Sequence, residues 1–182
     1  MQENQAALLI VDVQIGSFRE IEPLYKAEEL LKNIRLLIST ARKKRVPIVY
    51  MKFNDKPGKH LERGTSGWDI HPFIAPTKED TILEKNHPDS FQETNLQQEL
   101  AIRGVKRIVI TGIQTEVCVD ATCRHAFSLG YDVVLVKDGH TTYDSEFLMT
   151  SQIINHHNKV LHQWFANVKK LHEIDFQRNF TL

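Results

Sequence analysis

Cysteine, charge of a single sign and long apolar runs are all scarce in this 182-residue chain. Two thiols, Cys118 and Cys123, cannot staple a disulfide framework, so a packed core has to hold the fold and the expected setting is reducing and cytoplasmic. Lys plus Arg and Asp plus Glu both number 23, a formal net charge of zero. No bulk basic field exists to neutralise a phosphate backbone, which argues against nucleic acid and against an anionic membrane as partners. The longest apolar run, Ala6 to Val11, is far short of the ~20 residues that cross a bilayer. The polar opening, Met1 to Gln5, carries none of the basic-then-apolar pattern of a secretory leader.

What is present reads as one globular domain over residues 1–182, since chain length divided by ~150 residues leaves little over. Apolar residues make up 41%, and with the 8 glycines the share is about 45%, the usual globular value. A disordered, collagenous or low-complexity chain is excluded.

Ala6 to Val11 is a continuous apolar run ending at Asp12, the pattern of a strand buried on both faces. Leu30, Ile34, Leu37, Ile38 and Ala41 then fall on one helical face. Val46 to Phe53 is β-branched and aromatic, Thr81 to Leu83 is a short strand, and Thr94-x-x-Gln97 has the form of a capping box opening a helix that Gly104 stops. Arg107 to Ile113 is the next buried strand. Val119, Cys123, Ala126 and Phe127 share a helical face that ends at Gly130, and Asp132 to Val136 is again a strand. A helix from about Ser145 and a last strand near Trp164 to Val168 complete the series. The alternation predicts an α/β fold, a three-layer α/β/α sandwich around a mainly parallel, doubly wound sheet of about six strands. Asn54 to Asp80 interrupts this plan with Pro57, Gly58, Gly64, Gly67, Pro72 and Pro76; a stretch of that length suggests a lid, and Trp68, Ile70 and Phe73 argue against simple disorder.

Ligands of such sheets bind beyond the carboxyl ends of the strands, and three of those ends are chemically distinctive. One strand stops at Asp12, another runs into Glu84 and Lys85, and a third leads through Gln114 to Cys118 at the start of a helix. If these strands are neighbours, a carboxylate, an amine and a thiol converge. The helix terminus and the ammonium are expected to lower the thiol pKa from ~8.5 toward neutrality. Asp12 can then accept the thiol proton and return it to a leaving amine, with Lys85 holding the carboxylate and the N–H groups of Gln114 and Cys118 forming an oxyanion hole.

The stretches Ala6 to Gln14, Trp68 to Pro72, Glu84-Lys85 with Phe91, and above all Thr111 to Val119 resemble the isochorismatase-like cysteine hydrolase superfamily, over nearly the whole chain from about residue 6 to residue 168. The resemblance implies an Asp-Lys-Cys triad of Asp12, Lys85 and Cys118 that hydrolyses C–N bonds of small amides, ureides and nicotinamide-like compounds through a thioester. It also implies a non-proline cis peptide at Ile113–Gln114 and a homo-oligomer, with the His140 to Asp144 turn and the following helix as the place for a contact. Members of the isochorismatase type proper cleave a vinyl ether and lack the nucleophilic cysteine, so Cys118 moves the expectation toward amide hydrolysis. Nicotinamidases carry an Asp-x-His metal motif after the second strand. Here that stretch is Phe53-Asn54-Asp55-Lys56, with His60 and His71 further on, so neither a metal nor an organic cofactor is expected.

Blander roles were weighed for the rest. Cys123 lies on an apolar stripe and reads as core. His156 and His157 are adjacent on a helix and point apart, unlike a helix-borne metal pair. His140, after Asp138-Gly139, reads as a turn residue, and Glu84 as a structural residue facing away from Lys85. Phe18 and Trp68 are expected to wall a pocket for a small planar substrate, and Gln14 either to orient a polar group of that pocket or to bond to the backbone. Two alternatives use the same residues: a vinyl ether hydrolase that bypasses the thiol, and a non-catalytic α/β module.

Overall fold

Alternation within each buried strand sets the layers. In the computed structural model, which describes residues 5–176, β1 (Ala6–Val11) sends Ala6, Leu8 and Ile10 into one core and Ala7, Leu9 and Val11 into another. The first core packs against α1 (Ala27–Lys43) through Leu30, Ile34, Leu37, Ile38 and Ala41. The second packs against α2 (Leu96–Ile102), α3 (Asp120–Ser128) and α4 (Thr150–Trp164). Cys123 belongs to that second core and is fully buried, as expected. A sheet with apolar side chains on both faces needs helices on both, and this one has them.

The remaining strands are β2 (Ile48–Phe53), β3 (Thr81–Lys85), β4 (Arg107–Ile113), β5 (Asp132–Thr141) and β6 (Asn167–Lys169). All six are parallel, in the order β3-β2-β1-β4-β5-β6. The winding direction reverses between β1 and β4, which opens a crevice beyond their carboxyl ends. Gly112 makes the close pairing there possible: it sits opposite Val11 at φ +136°, and a Cβ on it would lie 2.1 Å from the Val11 carbonyl oxygen.

Several element ends differ from the sequence expectation. Thr94 forms no capping box; its hydroxyl donates to the Ser90 carbonyl and accepts from the Leu96 N–H, and the helix starts two residues later. The helix expected from Ser145 starts at Thr150, because Ser145 and Leu148 close a turn on each other and Asp144 caps Thr150 through both its N–H and its hydroxyl, each at 2.7 Å. Trp164 ends α4 rather than opening the last strand. Strand β5 does not stop at Val136. It bulges between Leu135 and His140 and resumes its pairing, so that His140 stands opposite Gly112 inside the sheet and not in a turn. His140, Thr141 and Thr142 are therefore buried, while the next segment exposes Phe147, Leu148 and Met149. Residues 1–4 of the polar opening stretch lie outside the described residues, and among those described no helix is long and apolar enough to cross a membrane.

Candidate active site

Asp12 is the first residue after β1, held at φ 54° with its side chain 4% exposed. Lys85, the last residue of β3, extends beneath it with its Nζ 2.7 Å from Asp12 Oδ2. The ammonium also donates to the carbonyl oxygens of Pro88 at 2.8 Å and His87 at 3.1 Å, so its three N–H groups have three acceptors. Both carboxylate oxygens retain acceptor capacity although they are buried. That combination, a charge-matched carboxylate with unspent lone pairs, suits a base that must take up and release a proton.

Cys118 arrives from the other side. After β4 the chain passes a cis Ile113–Gln114 peptide and winds through a π-helical turn, Thr115–Val119, into α3. The thiol interacts with both Asp12 and Lys85. Burial pushes it up to about 12, the Asp12 charge adds to the rise and Lys85 opposes it. The expected lowering by the helix terminus and ammonium is therefore reversed, because desolvation of a thiolate here outweighs one cation. Asp12 is itself raised, first by desolvation, against the lowering effects of Lys85 and the Cys118 hydrogen bond. At rest the proton stays on sulfur, beside a carboxylate made more basic by burial.

Asp12 and Cys118, together with Ile113 and Gln114, border a cavity of about 540 Å3, and Lys85 lies buried behind Asp12. Phe53, His60, Leu61, Arg19 and Tyr143 form much of the wall. Its size lies within the range of about 300–1,000 Å3 common to small-molecule sites. Of the three residues expected at the pocket, none borders this cavity, and Gln14 takes the backbone-bonding alternative. Gln14 is fully buried and spends its amide on the backbone, accepting from the Phe53 N–H at 2.8 Å and donating to the Trp68 and Phe53 carbonyls at 2.8 and 3.1 Å. Phe18 packs on the α1-side core and against the His71 ring, with centroids 4.6 Å apart. Trp68 stacks on the Lys52 ammonium and donates its indole N–H to Asn54 Oδ1 at 2.7 Å. Each closes the framework around the cavity without bordering it.

Of the histidines considered as ligands, His60 borders the cavity, whereas His71 accepts from the Phe73 N–H at the start of a short 3-10 turn. No group of three or more His, Cys, Asp or Glu side chains among the described residues is arranged to hold a metal ion. Glu84 points away from Lys85 and pairs with Arg63 at 2.7 Å. His140, missed as a site residue, braces the turn that carries Cys118: Thr115 Oγ1 lies 2.8 Å from its Nδ1 and Asn158 Oδ1 lies 3.0 Å from its Nε2. Arg19 and Tyr143 were also missed, although each follows the end of a strand and could have been suspected on that ground.

Comparison with known proteins identifies relatives of the whole fold. A family model described as the isochorismatase domain matches residues 6–160. A streptothricin hydrolase from Streptomyces noursei is 35% identical over 138 residues, 76% of this chain but only 50% of that protein, so the chain spans about half the relative's length. Nicotinamidase 3 of Arabidopsis thaliana is 30% identical over 155 residues, covering 78% of this chain and 75% of that one. The crystal structure of an isochorismatase family protein superposes with a TM-score of 0.87 at 28% identity, covering 92% of this chain and 99% of the other.

Proposed function

The chain belongs to the isochorismatase family, and from that premise we propose that it is a cysteine amidohydrolase, cleaving an amide-type C–N bond of a small molecule through a thioester on Cys118. The observation that carries this reading is that Asp12 and Cys118 border one cavity while Lys85, fully buried, pairs with Asp12 at 2.7 Å, leaving a buried carboxylate beside the thiol. The names of the similar proteins, a hydrolase and a nicotinamidase, support a hydrolytic reaction.

The raised thiol dictates the order of events. A thiolate is too costly to preform, so Asp12 takes the proton as sulfur bonds to the carbonyl carbon. The oxyanion that forms faces the N–H groups of Gln114 and Cys118 at the cavity base. Asp12 then gives its proton to the departing nitrogen as the C–N bond breaks, leaving a thioester and ammonia or an amine. Water, deprotonated by the same carboxylate, attacks the thioester carbonyl and releases an acid, and the proton returns to sulfur. Lys85 keeps the carboxylate in place throughout.

The test is ammonia release from a panel of small amides and ureides, comparing the native protein with Cys118→Ala under reducing conditions and with a chelator present. Loss of turnover in the variant with no effect of the chelator is expected. Turnover retained by Cys118→Ala would remove the thiol from the mechanism. No release by either protein, while an isochorismate-type ether is cleaved by both, would replace the amide reading with ether hydrolysis.

A further inference from the structure

The cavity walls carry charges that the bond-breaking steps do not use. Asp12 is matched by Lys85; beyond that pair, and histidine apart, Arg19 and Lys59 border the cavity against Asp55 alone. By bordering residues alone the charges balance, Arg19 and Lys59 against Asp12 and Asp55, but Asp12 is paired from behind by the buried Lys85 and Asp55 already accepts the Lys56 N–H on Oδ1 at 2.8 Å. Arg19 is also placed rather than loose. Its guanidinium lies over the Tyr143 ring, 4.7 Å from the centroid, and Tyr143 is tied down by donating its hydroxyl to the Ser17 carbonyl at 2.6 Å. Nη1 reaches Glu22 at 2.7 Å, but the Glu22 side chain is 62% exposed and stands outside the cavity wall. A guanidinium has five N–H donors in a planar fork, so further donors remain for a second acceptor on the cavity side.

We propose that Arg19, assisted by Lys59, determines specificity by binding a carboxylate on the substrate, so that the preferred substrates are amides or ureides bearing a free carboxylate. A carboxylate entering a half-enclosed cavity loses hydration, and a charge-assisted, fork-like contact restores what it loses, whereas a neutral or cationic amide gains nothing from it. The inference rests on Cys118 being an accessible nucleophile at the base of the same cavity.

Iodoacetate and iodoacetamide test it without knowledge of the natural substrate, because they alkylate the same thiol and differ in one carboxylate. Rates at Cys118, assigned by peptide mass spectrometry, are taken relative to those of 2-mercaptoethanol at the same pH. The iodoacetate-to-iodoacetamide ratio of the native protein is expected to exceed that of the free thiol by about tenfold or more, and to shrink with added salt. Arg19→Gln is expected to lower the ratio about tenfold, the ratio cancelling any change in thiol reactivity common to both reagents, Arg19→Lys to keep part of it, and Lys59→Gln to lower it less. A ratio equal to or below that of the free thiol, or one unmoved by Arg19→Gln, overturns the carboxylate reading and leaves the amidohydrolase reading standing. Failure of folded protein to react with either reagent overturns both.

Discussion

Asp12 is asked to be buried, charged and basic at once, and the three demands are reconciled by Lys85. An isolated buried carboxylate would hold its proton; the ammonium at 2.7 Å favours the charged form, and burial still leaves its pKa above the ordinary value of 3.8. Below that raised pKa the residue is protonated and cannot take the Cys118 proton. The acid limb of kcat/KM is therefore expected nearer neutrality than an ordinary carboxylate would put it, and a limb at or below pH 3.8 would contradict the burial argument. Asp12→Asn should reduce turnover by about 10²–10⁴-fold, the usual worth of a general base, at unchanged substrate affinity. The placement of Asp12 and Lys85 at strand ends, and of Cys118 in the turn that follows β4, was legible from the apolar runs before them, and strand ends are where such sheets place ligands. Phe18 and Trp68 were misread, and Gln14 left open, for the opposite reason. Their roles are set by partners 39 to 54 residues away in Phe53 and Trp68 for Gln14, and by packing for the rings, which no local pattern reports.

Strand β5 shows how one element can serve both fold and chemistry. Its first half pairs regularly with β4, but the bulge between Leu135 and His140 lets the strand resume opposite Gly112, next to the nucleophile turn. His140 then bridges Thr115 and Asn158, joining β5, the turn before α3, and α4. Asn158 Oδ1 accepts from Nε2–H, which leaves Nδ1 to accept from Thr115, so the ring is held as one neutral tautomer. Burial lowers its pKa to about 4. The unfolded chain binds this proton below about 6.5 and the folded chain does not until about 4, so stability should fall as pH drops through that window, by on the order of a few kcal/mol. Urea midpoints of the native protein and His140→Gln at pH 7, 5.5 and 4.5 check this. The native midpoint is expected to fall more steeply, and parallel curves would show that His140 does not titrate as described. Sequence periodicity identified the first half of β5 and missed the second, because Lys137, Asp138 and Gly139 break the apolar run that marks a buried strand.

At the scale of the whole molecule, a parallel sheet of about six strands with helices on both faces was readable from buried runs and helical spacing, whereas the order of the strands and the path of residues 54–80 were not. That excursion is neither loose nor a separate unit. Gln14 and Ile70 pair across it, Asp55 and Glu62 bridge within it, and the Ile74 side chain is buried in the α1-side core. Its approach to the sheet edge depends on two glycines distant in sequence. A Cβ on Gly16 would stand 2.1 Å from the His60 carbonyl oxygen and one on Gly67 2.2 Å from the same atom, so the backbone at His60 is seated between two positions that tolerate no side chain. Because Lys59, His60 and Leu61 border the cavity, this seat sets how closely a substrate is enclosed. Gly67→Ala is expected to lift that segment, costing about 1–3 kcal/mol in stability as overpacking does, and to raise KM more than it lowers kcat, because the Asp12, Lys85 and Cys118 supports lie on other elements. Steady-state kinetics on an amide that the native protein hydrolyses, with urea melts alongside, separate the two effects. A fall in kcat at constant KM would instead mean that the excursion acts on the chemistry and not on enclosure.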